Sequence, residues 1–224
     1  MNIRLNFIVE GQTEETFVNQ VLRPHLETFS VGCSARCVET SRKRGRKYRG
    51  GITDFKLPRK DINAWMREDK NPDVRFTTMF DLYGLPQDFP GYGDAAGLSN
   101  AYERVRVLEN ALSEDISDRR FVPYIQLHEF ESLLFSDLHK LETQFYDRGD
   151  EVSRLVMTAS AFESPELIDD GKDTSPSKRI IGEIPEYGRM KASAGPIVAG
   201  KIGLSVLRSK CRHFGEWIER LEAI

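Results

Sequence analysis

The pattern of apolar and polar positions opens with a strand followed by a helix. Across residues 3–9, apolar side chains fall on every second position: Ile3, Leu5, Phe7 and Val9. A period of two is typical of a β-strand. Beyond Gly11 and Thr13 the apolar spacing becomes helical, through Phe17, Val21, Leu22 and Leu26. The first predicted unit is therefore a strand and a helix joined by a short turn.

The same order of elements recurs along the first part of the chain. The sequence predicts further strands over residues 31–38, 73–81 and 121–127, and helices over 60–68, 102–112 and 128–135. A loop rich in glycine and proline spans 84–99, a length at which loops are often functional. Strands that alternate with helices indicate an α/β fold with a mostly parallel sheet. We expect this α/β domain to fill residues 1–135, with a helical extension over 136–224 packed on it.

Length and composition narrow the class of protein without indicating a function. A chain of 224 residues, 39% of them hydrophobic and 30% charged, is long enough to bury roughly 70–75% of its unfolded surface. Its three cysteines have no repeated spacing, which argues against a secreted disulfide framework. No apolar run reaches the ~18–20 residues of a membrane helix, and no signal-peptide pattern opens the chain. We therefore expect a cytoplasmic protein.

The net charge of -3 conceals two stretches without acidic residues. The first basic tract lies within 41–51 and holds Arg42, Lys43, Arg44, Arg46, Lys47 and Arg49. The second basic tract, 187–213, holds Arg189, Lys191, Lys201, Arg208, Lys210 and Arg212. Basic tracts on an acidic protein attract polyanions through phosphate contacts. The alternative is that both tracts are solvated loops and helix faces.

Polar residues that suit a site follow three of the predicted strands directly. They are Glu10, Asp81, and His128 with Glu129. In an open parallel sheet, ligands bind at the carboxyl ends of the strands. Glu14 lies four residues beyond the first strand, and Glu131 lies within one turn of the last one. We expect both of these acids at the same edge of the sheet.

A cluster of carboxylates without partnering cysteines suits a hard cation. Mg²⁺ and Mn²⁺ prefer oxygen ligands and bind through a few carboxylates, waters and substrate phosphates. Two such ions about 4 Å apart activate a water and stabilise the leaving oxygen in phosphodiester cleavage. Each acid also has a structural explanation: Glu14 suits the positive end of a helix that Thr13 would cap, and Asp81 suits a turn. Their joint occurrence favours a site.

Three other kinds of site do not fit the sequence. The zinc-peptidase motif that begins at His128 fails because Ser132 occupies the second histidine position. Cys33 and Cys37 are four residues apart on a predicted strand, so we interpret them as buried thiols rather than zinc ligands. The chain has no glycine-rich phosphate loop and no dinucleotide fingerprint, which argues against ATP hydrolysis by this chain itself.

Four short motifs, taken in order, resemble a known family. They are IVEGQTEE at residues 8–15, FDLYGLP at 80–86, HEFE at 128–131 and PSKR at 176–179. The first resembles the opening motif of Toprim-like nuclease domains, especially those of the overcoming-lysogenization-defect (OLD) nucleases and the RloB-like proteins. Together the four resemble one bacterial family of unknown function, grouped with Toprim-like domains and found near ATPases in mobile-element or defence loci. The resemblance implies a Toprim-like, Rossmann-like fold over nearly the full chain.

The resemblance also implies roles for individual residues. In Toprim nucleases the glutamate that ends the first strand is a metal ligand or general base, and it corresponds to Glu10. The second glutamate of the motif helps to bind metal in OLD-type sites and corresponds to Glu14. Related sites also use a catalytic lysine, for which Lys178 is the candidate. His128 is the candidate for orienting a phosphate or a carboxylate.

The second motif departs from the family pattern. Its usual form is Asp-x-Asp after an interior strand, and only the first acid is present here, as Asp81, with Tyr83 at the second position. The candidates for a replacement ligand are Glu129, Glu131 and Asp88. The number of metal ions at the site, one or two, depends on whether one of them takes that place.

The leading hypothesis is a Mg²⁺- or Mn²⁺-dependent Toprim-like nuclease that acts on DNA or RNA in bacterial defence against phage or mobile elements. Its first basic tract would hold the nucleic-acid backbone. An alternative is a catalytically inactive Toprim-like subunit that regulates or senses together with an ATPase partner, which the missing second aspartate favours. A third is a phosphotransfer enzyme for a nucleotide or small phosphate ester. We expect no membrane partner, and a homodimer is left open.

Overall fold

A computed structural model describes residues 3–38, 41–43, 46–48, 52–168, 171 and 173–224. For 41–43 and 46–48 it describes the backbone alone. The side chains of the first basic tract therefore lie outside the described residues, and Arg44 and Arg49 lie outside them entirely.

Strands and helices alternate through the first half of the described chain, and helices make up most of the second half. The strands are β1 (Ile3–Val9), β2 (Val31–Cys37), β3 (Ser41–Lys43), β4 (Arg46–Tyr48), β5 (Val74–Asp81), β6 (Phe121–Val122) and β7 (Ile125–Gln126). The α-helices are α1 (Gln12–Phe17), α2 (Arg23–Glu27), α3 (Lys56–Glu68), α4 (Tyr92–Ala95), α5 (Ala101–Ile116), α6 (Gly149–Ala159), α7 (Pro176–Glu183), α8 (Tyr187–Ile202), α9 (Leu204–Lys210) and α10 (Arg212–Glu222). A π-helical stretch, Val18–Leu22, joins α1 to α2, and 3₁₀-helices cover Leu82–Gly84, Phe130–Ser136, Leu138–Thr143 and Pro165–Leu167.

The main sheet is parallel and is centred on β1 and β5. Its strand order is β2-β1-β5-β6, and β7 pairs with β5 beyond the end of β6. Val9, the last residue of β1, lies opposite Cys37 of β2 and Met79 of β5. The carboxyl ends of the three longest strands therefore meet at one edge of the sheet, which we call the carboxyl edge. The short strands β3 and β4 pair antiparallel as a separate ribbon.

Alternating side chains of the sheet bury two separate cores, one on each face. Leu5 and Phe7 pack with α1, α2 and the helices from α8 to α10. Ile8 and Phe76 pack with α3 and α5 on the opposite face. Burial on both faces is the usual condition of a parallel sheet. The C-terminal helices thus supply one of the two layers that cover the sheet.

The last strand of the sheet is interrupted, although the sequence predicts one run over 121–127. β6 ends before Pro123, which has no amide hydrogen for the ladder. The Thr78 hydroxyl bridges the gap: it accepts a hydrogen bond from the Tyr124 amide at 2.9 Å and donates one to the Tyr124 carbonyl at 2.9 Å. The chain then rejoins β5 as β7 and continues to the carboxyl edge.

Several predicted elements differ from the structure in extent or type. The helix predicted over 60–68 begins earlier, at Lys56, because Pro58 lies in its first turn, where an amide hydrogen is not needed. The amphipathic helix predicted from residue 128 is the 3₁₀-helix Phe130–Ser136, and it is buried almost throughout. The predicted loop over 84–99 contains α4. The loop predicted for the first basic tract contains the ribbon of β3 and β4.

The architecture confirms the predicted α/β fold class: a mostly parallel sheet is flanked by helices and followed by a helical C-terminal stretch. The division into 1–135 and 136–224 stays a prediction. Within the ranges that the structure describes, no helix has the length and apolar character needed to cross a membrane.

Candidate functional site

Two neighbouring strands bring the first pair of acids to the carboxyl edge. Glu10 directly follows β1, and its amide donates to the Met79 carbonyl of β5 at 3.3 Å. Asp81 is the last residue of β5. The amide of Asp81 donates a hydrogen bond to Oε2 of Glu10 at 3.2 Å. The pairing of β1 with β5 thus holds the Glu10 carboxylate against the backbone of Asp81.

Gly84 makes room for the Glu10 carboxylate. It closes the 3₁₀ turn that follows β5. A Cβ atom at this position would lie 3.2 Å from Oε1 of Glu10, a separation at which one of the two groups would have to move. The glycine of the FDLYGLP motif therefore leaves the space that the Glu10 carboxylate occupies.

Glu14 reaches the same edge from the first turn of α1. Its Oε2 accepts a hydrogen bond from the Gly11 amide at 2.9 Å, and Gly11, rather than the expected Thr13, is the N-cap of the helix. A carboxylate in the first helical turn is favoured by the helix dipole. Glu14 is nevertheless only 5% exposed, and a side chain that merely stabilised a helix end would not need this burial.

Glu131 completes a group that we call the carboxylate cluster: Glu10, Glu14, Asp81 and Glu131. The Tyr187 hydroxyl of α8 donates to Oε1 of Glu131 at 3.0 Å, and Nζ of Lys191 lies 3.2 Å from the same oxygen. Tyr187 and Lys191 are four residues apart, so they project from one face of α8. Lys191 is therefore the lysine that the structure brings to the cluster, whereas Lys178 is exposed in the first turn of α7.

Glu129 is engaged by the start of α7. One of its oxygens accepts the Ser177 amide, and the other accepts the Ser177 hydroxyl at 2.9 Å. Both residues are buried. The contact satisfies an amide in the first turn of α7, which has no partner within the helix. Glu129 thus fastens α7 to the carboxyl edge, and its charge lies beside the carboxylate cluster.

Burial and neighbouring carboxylate charges raise the pKa values of Glu14, Asp81 and Glu131. Burial is the largest cause, and it raises the pKa of Glu14 and that of Glu131 to about 7. The charge of Glu10 adds to the rise of the pKa at Glu14. Burial, and then the charges of Glu14 and Glu10, raise the pKa of Asp81 well above its usual range. The positive charge of Lys191 offsets part of this rise in the pKa of Glu131.

One oxygen of the cluster, Oδ1 of Asp81, is buried without a hydrogen-bond partner in the described part of the chain. An unsatisfied buried oxygen destabilises the fold, and a cation bound there would remove that cost. All four candidate donors are carboxylates, the ligands that Mg²⁺ and Mn²⁺ prefer. Among the described residues, no three acid, histidine or cysteine side chains are already arranged to hold a metal ion. The four carboxylates are suitable ligands for Mg²⁺ or Mn²⁺, but their side chains would have to turn toward the ion to bind it.

The other predicted site residues make contacts outside the cluster. His128 has a φ of 61°, a conformation that histidine adopts more readily than most residues, and its carbonyl accepts the Tyr83 amide at 2.8 Å. His128 is buried, and it is among the residues that line a cavity of about 550 Å³ together with Asn100. The Tyr83 side chain is exposed. Asp88 accepts the Phe55 amide at 3.1 Å, which ties it to the start of α3.

The two basic tracts differ in what the structure shows of them. Three bases of the second tract form ion pairs with carboxylates: Lys191, Arg208 and Arg212. The other three are exposed: Arg189, Lys201 and Lys210. In the first tract, nucleic-acid contacts stay a prediction because its side chains lie outside the described residues: Arg42, Lys43, Arg44, Arg46, Lys47 and Arg49.

Sequence reasoning missed the partners of the acids. Tyr187 and Lys191 carried a usable signal, because a tyrosine and a lysine four residues apart in an acid-free helix suit a buried carboxylate. A second buried network had no such signal. His213 Nε2 lies 2.9 Å from Oε1 of Glu109, and Glu166 accepts the His213 amide at 2.9 Å. These residues come from distant parts of the sequence, so no local pattern marks them.

Comparison with known proteins assigns the chain to a family. A family model described as a domain of unknown function, DUF4276, matches residues 9–222. The chain belongs to the DUF4276 family. This result confirms the resemblance to a bacterial family of unknown function that the four motifs indicate. A search of curated proteins finds no match to this DUF4276 chain.

Solved structures of OLD proteins are similar to the DUF4276 chain over nearly its whole length. The match to the C-terminal region of the Burkholderia pseudomallei OLD protein has 16% sequence identity and a TM-score of 0.45, and it covers 99% of this chain and 100% of that one. The match to the C-terminal region of the Xanthomonas campestris pv. campestris OLD protein has 15% identity and a TM-score of 0.43, and it covers 97% and 94%.

Proposed function

We propose that this DUF4276 protein is a divalent-cation-dependent nuclease that hydrolyses phosphodiester bonds. The observation that carries the proposal is the buried Oδ1 of Asp81, which is unsatisfied by the described residues. Burial and the charges of neighbouring carboxylates also raise the pKa of Asp81. Buried charges are stable only when they are paired. A cluster of this kind at the ligand-binding edge of a parallel sheet suits a cation.

The cluster residues would hold Mg²⁺ or Mn²⁺, with Glu10, Glu14 and Asp81 as the central ligands and Glu131 as the candidate for completing the set. When bound, such an ion polarises a phosphoryl oxygen and lowers the pKa of a bound water. The chain itself fixes the orientation of Glu10, through the Asp81 amide and the close backbone at Gly84. Glu14 is fixed by the Gly11 amide.

Lys191 supplies a positive charge at the solvent side of the cluster. Its side chain is 36% exposed, and its ammonium lies 3.2 Å from Glu131. Burial lowers the pKa of Lys191, but the charges of Glu131 and Glu129 raise it by more, so that the pKa lies above its ordinary value. Lys191 is therefore protonated at neutral pH and suited to a phosphate oxygen. Tyr187 holds Glu131 from the buried side.

Nucleic acid is proposed as the substrate because two features agree. Phosphodiester hydrolysis is one of the reactions that a divalent cation on a carboxylate cluster catalyses, and the chain has bases that suit a phosphate backbone. The resemblance to Toprim nucleases points to the same class. The role in defence against phage or mobile elements rests on that resemblance alone. DNA and RNA are both to be tested.

The direct test compares cleavage of plasmid DNA and of RNA, in Mn²⁺ or Mg²⁺, by the wild-type protein and by Asp81→Asn and Glu10→Gln. Each substitution removes one charge and keeps the side-chain size. We expect a loss of at least ~100-fold, since removing one group that stabilises developing charge costs that much. Glu15→Gln is the matched control, because Glu15 lies in the same helical turn as Glu14 but outside the cluster, and its activity should match the wild type.

A Glu10→Gln protein with full metal-dependent cleavage would refute this assignment. The rival function is an inactive regulatory or sensor subunit that acts with an ATPase partner. One observation favours it: Tyr83 stands where the Toprim pattern has its second acid, and its side chain is exposed. The rival is supported if the wild-type chain cleaves neither polymer, shows no Mn²⁺-dependent rise in Tm that Asp81→Ala removes, and forms a stable complex with an ATPase.

A further inference from the structure

The exposed face of α3 carries a row of bases, which we call the α3 row: Lys56, Arg59, Lys60 and Arg67. Arg59, Lys60 and Arg67 lie three, four and eleven residues after Lys56. This is the spacing of residues on one helix face. All four are exposed. The opposite face of α3 is buried, through Pro58, Ile62, Trp65 and Met66. The packing of α3 on the sheet therefore fixes the row toward solvent.

The α3 row lines a groove that contains little opposing charge. The groove has a volume of about 600 Å³, and Asp115, near the end of α5, is the one acid among the described residues that line it. Asp115 pairs with Arg59 at 2.7 Å. In the described ranges, no carboxylate forms an ion pair with Lys56, Lys60 or Arg67. The groove is therefore a concave surface with an excess of positive charge.

Contacts at both ends of α3 set the direction of the row. At the start, the Phe55 amide donates to Asp88 at 3.1 Å, in the segment that follows β5 at the carboxyl edge. At the end, the Arg120 guanidinium donates to the Met66 carbonyl at 3.1 Å, just before β6 begins. The row thus starts with Lys56 on the side of the carboxylate cluster and runs down the flank of the sheet.

The length of the α3 row suits a phosphate backbone. Eleven residues of α-helix rise roughly 16 Å. Each strand of a nucleic-acid duplex has one phosphate per ~3.4 Å of axial rise, so the row spans about five phosphates. A row with that reach is long enough to contact several consecutive phosphates of one strand.

We propose that the α3 groove binds the phosphate backbone of a nucleic acid that extends from the carboxylate cluster. The inference rests on the proposed function for the class of ligand, and it identifies a surface distinct from the first basic tract. Lys56, Lys60 and Arg67 contact phosphates, and Arg59 is held in place by Asp115. Phosphates neutralised by these bases release counterions, so affinity falls with the logarithm of salt concentration.

The test measures binding without cleavage. Fluorescence anisotropy in EDTA, over a series of KCl concentrations, gives the affinity for labelled duplex DNA and single-stranded RNA. For the triple variant Lys56→Gln, Lys60→Gln, Arg67→Gln, we expect binding at least ~10-fold weaker at low salt, and a salt slope shallower by about 2 to 3. The matched control removes three exposed bases that lie outside both basic tracts and outside the groove, Arg106→Gln, Arg119→Gln and Arg220→Gln, and should change affinity less than about twofold. Unchanged Tm values show that both triple variants are folded.

Hydrolysis of bis(4-nitrophenyl) phosphate in Mn²⁺ is measured in a separate assay. This small diester is too short to contact the groove, so the assay reports on the carboxylate cluster alone. The inference is overturned if wild-type protein does not bind nucleic acid, if the α3 variant keeps wild-type affinity and salt slope, or if the control loses as much. Each of these outcomes overturns the inference whether or not the protein hydrolyses the small diester. If the α3 variant alone loses binding while wild-type protein hydrolyses neither diester nor nucleic acid, the groove is supported and the proposed function fails.

Discussion

Burial of Glu14 and Glu131 makes the stability of the cation-free protein depend on pH. Their pKa values are raised from 4.5 to about 7 by burial first and by neighbouring carboxylates next. Between these two values the folded state binds more protons than the unfolded state. The free energy of unfolding therefore falls as pH rises through this window, and the loss is complete above the folded pKa.

Glu14→Gln should weaken this dependence, because an amide has no proton to lose in the window. We expect the Tm of the variant in EDTA to fall less than that of the wild type between about pH 5 and 8. Mn²⁺ should raise the wild-type Tm most at the upper end, where the carboxylates are charged. Thermal unfolding with and without Mn²⁺ measures both effects. Glu15→Gln should keep the wild-type dependence, and a wild-type Tm that rises with pH would contradict the prediction.

The acids of the candidate site were easier to predict than their partners. Glu10 and Asp81 end strands, and parallel strands meet at one edge, so their proximity follows from strand order alone. The contacts of Lys191 and Ser177 depend on how α8 and α7 dock on the sheet. Docking is decided by side-chain packing between segments far apart in the sequence, and no local pattern encodes it.

At the scale of elements, the close contact between α8 and the 3₁₀-helix Phe130–Ser136 depends on Gly195. A Cβ atom there would lie 3.1 Å from the Tyr187 hydroxyl and 3.2 Å from Cε1 of Phe130. The Tyr187 hydroxyl is already bonded to Glu131, so it moves only at the expense of that hydrogen bond. The helix is therefore held close to the site by the absence of a side chain.

Gly195→Ala should lower the free energy of unfolding by about 1 kcal/mol or more, because overpacking outweighs the gain in helix propensity. The matched substitution is Gly182→Ala in α7, where a Cβ atom meets nothing within 4 Å. It should raise the free energy of unfolding by about 0.4–1 kcal/mol. Urea unfolding of both variants measures the difference, and equal stabilisation by the two alanines would show that α8 has room to spare.

Most helices and strands could be predicted because their apolar residues recur at the period of a helix or a strand over several turns or residues. The exceptions have specific physical causes. The break at Pro123 depends on a hydroxyl from another strand, Thr78, which supplies the missing ladder bonds. The 3₁₀-helix Phe130–Ser136 is enclosed by other elements, so it has no solvent face for an amphipathic pattern to reveal.

At the scale of the whole molecule, the C-terminal helices belong to the core of the sheet. Trp217 of α10 stacks on Tyr124 with ring centroids 3.9 Å apart, and its Nε1 donates to the Thr77 hydroxyl of β5 at 3.0 Å. Its ring also meets Phe7 of β1 edge to face. One residue of the last helix thus contacts the two central strands and the segment between β6 and β7.

Trp217→Ala should lower the free energy of unfolding by about 3–5 kcal/mol, and the protein should unfold in a single transition. Far-UV circular dichroism and intrinsic fluorescence, followed in one urea titration, check whether helices and core unfold together. Phe29→Ala is the control, since Phe29 is exposed, and it should change stability by less than about 0.5 kcal/mol. An early transition that removes only the helices would favour an extension that is separable from the sheet.

The fold class could be predicted from the sequence because alternating strands and helices leave few arrangements. The extent of the α/β domain was harder to place. The helical pattern after residue 135 shows that helices follow, but not that their apolar faces cover β1. To predict this packing, one would have to know which residues each helix face contacts, as Trp217 contacts Thr77.

The central strand β1 also constrains the order in which the chain acquires its structure. Val9 pairs with Cys37 and with Met79, and the ring of Phe7 is covered by Trp217, so none of these contacts is local. Closing such long loops is entropically costly, and folding dominated by distant contacts is slow. On the ribosome, about two hundred further residues follow β1 before Trp217 is made. Helices α1 and α2 cover part of the core face of β1 first, and the C-terminal helices complete its protection from aggregation.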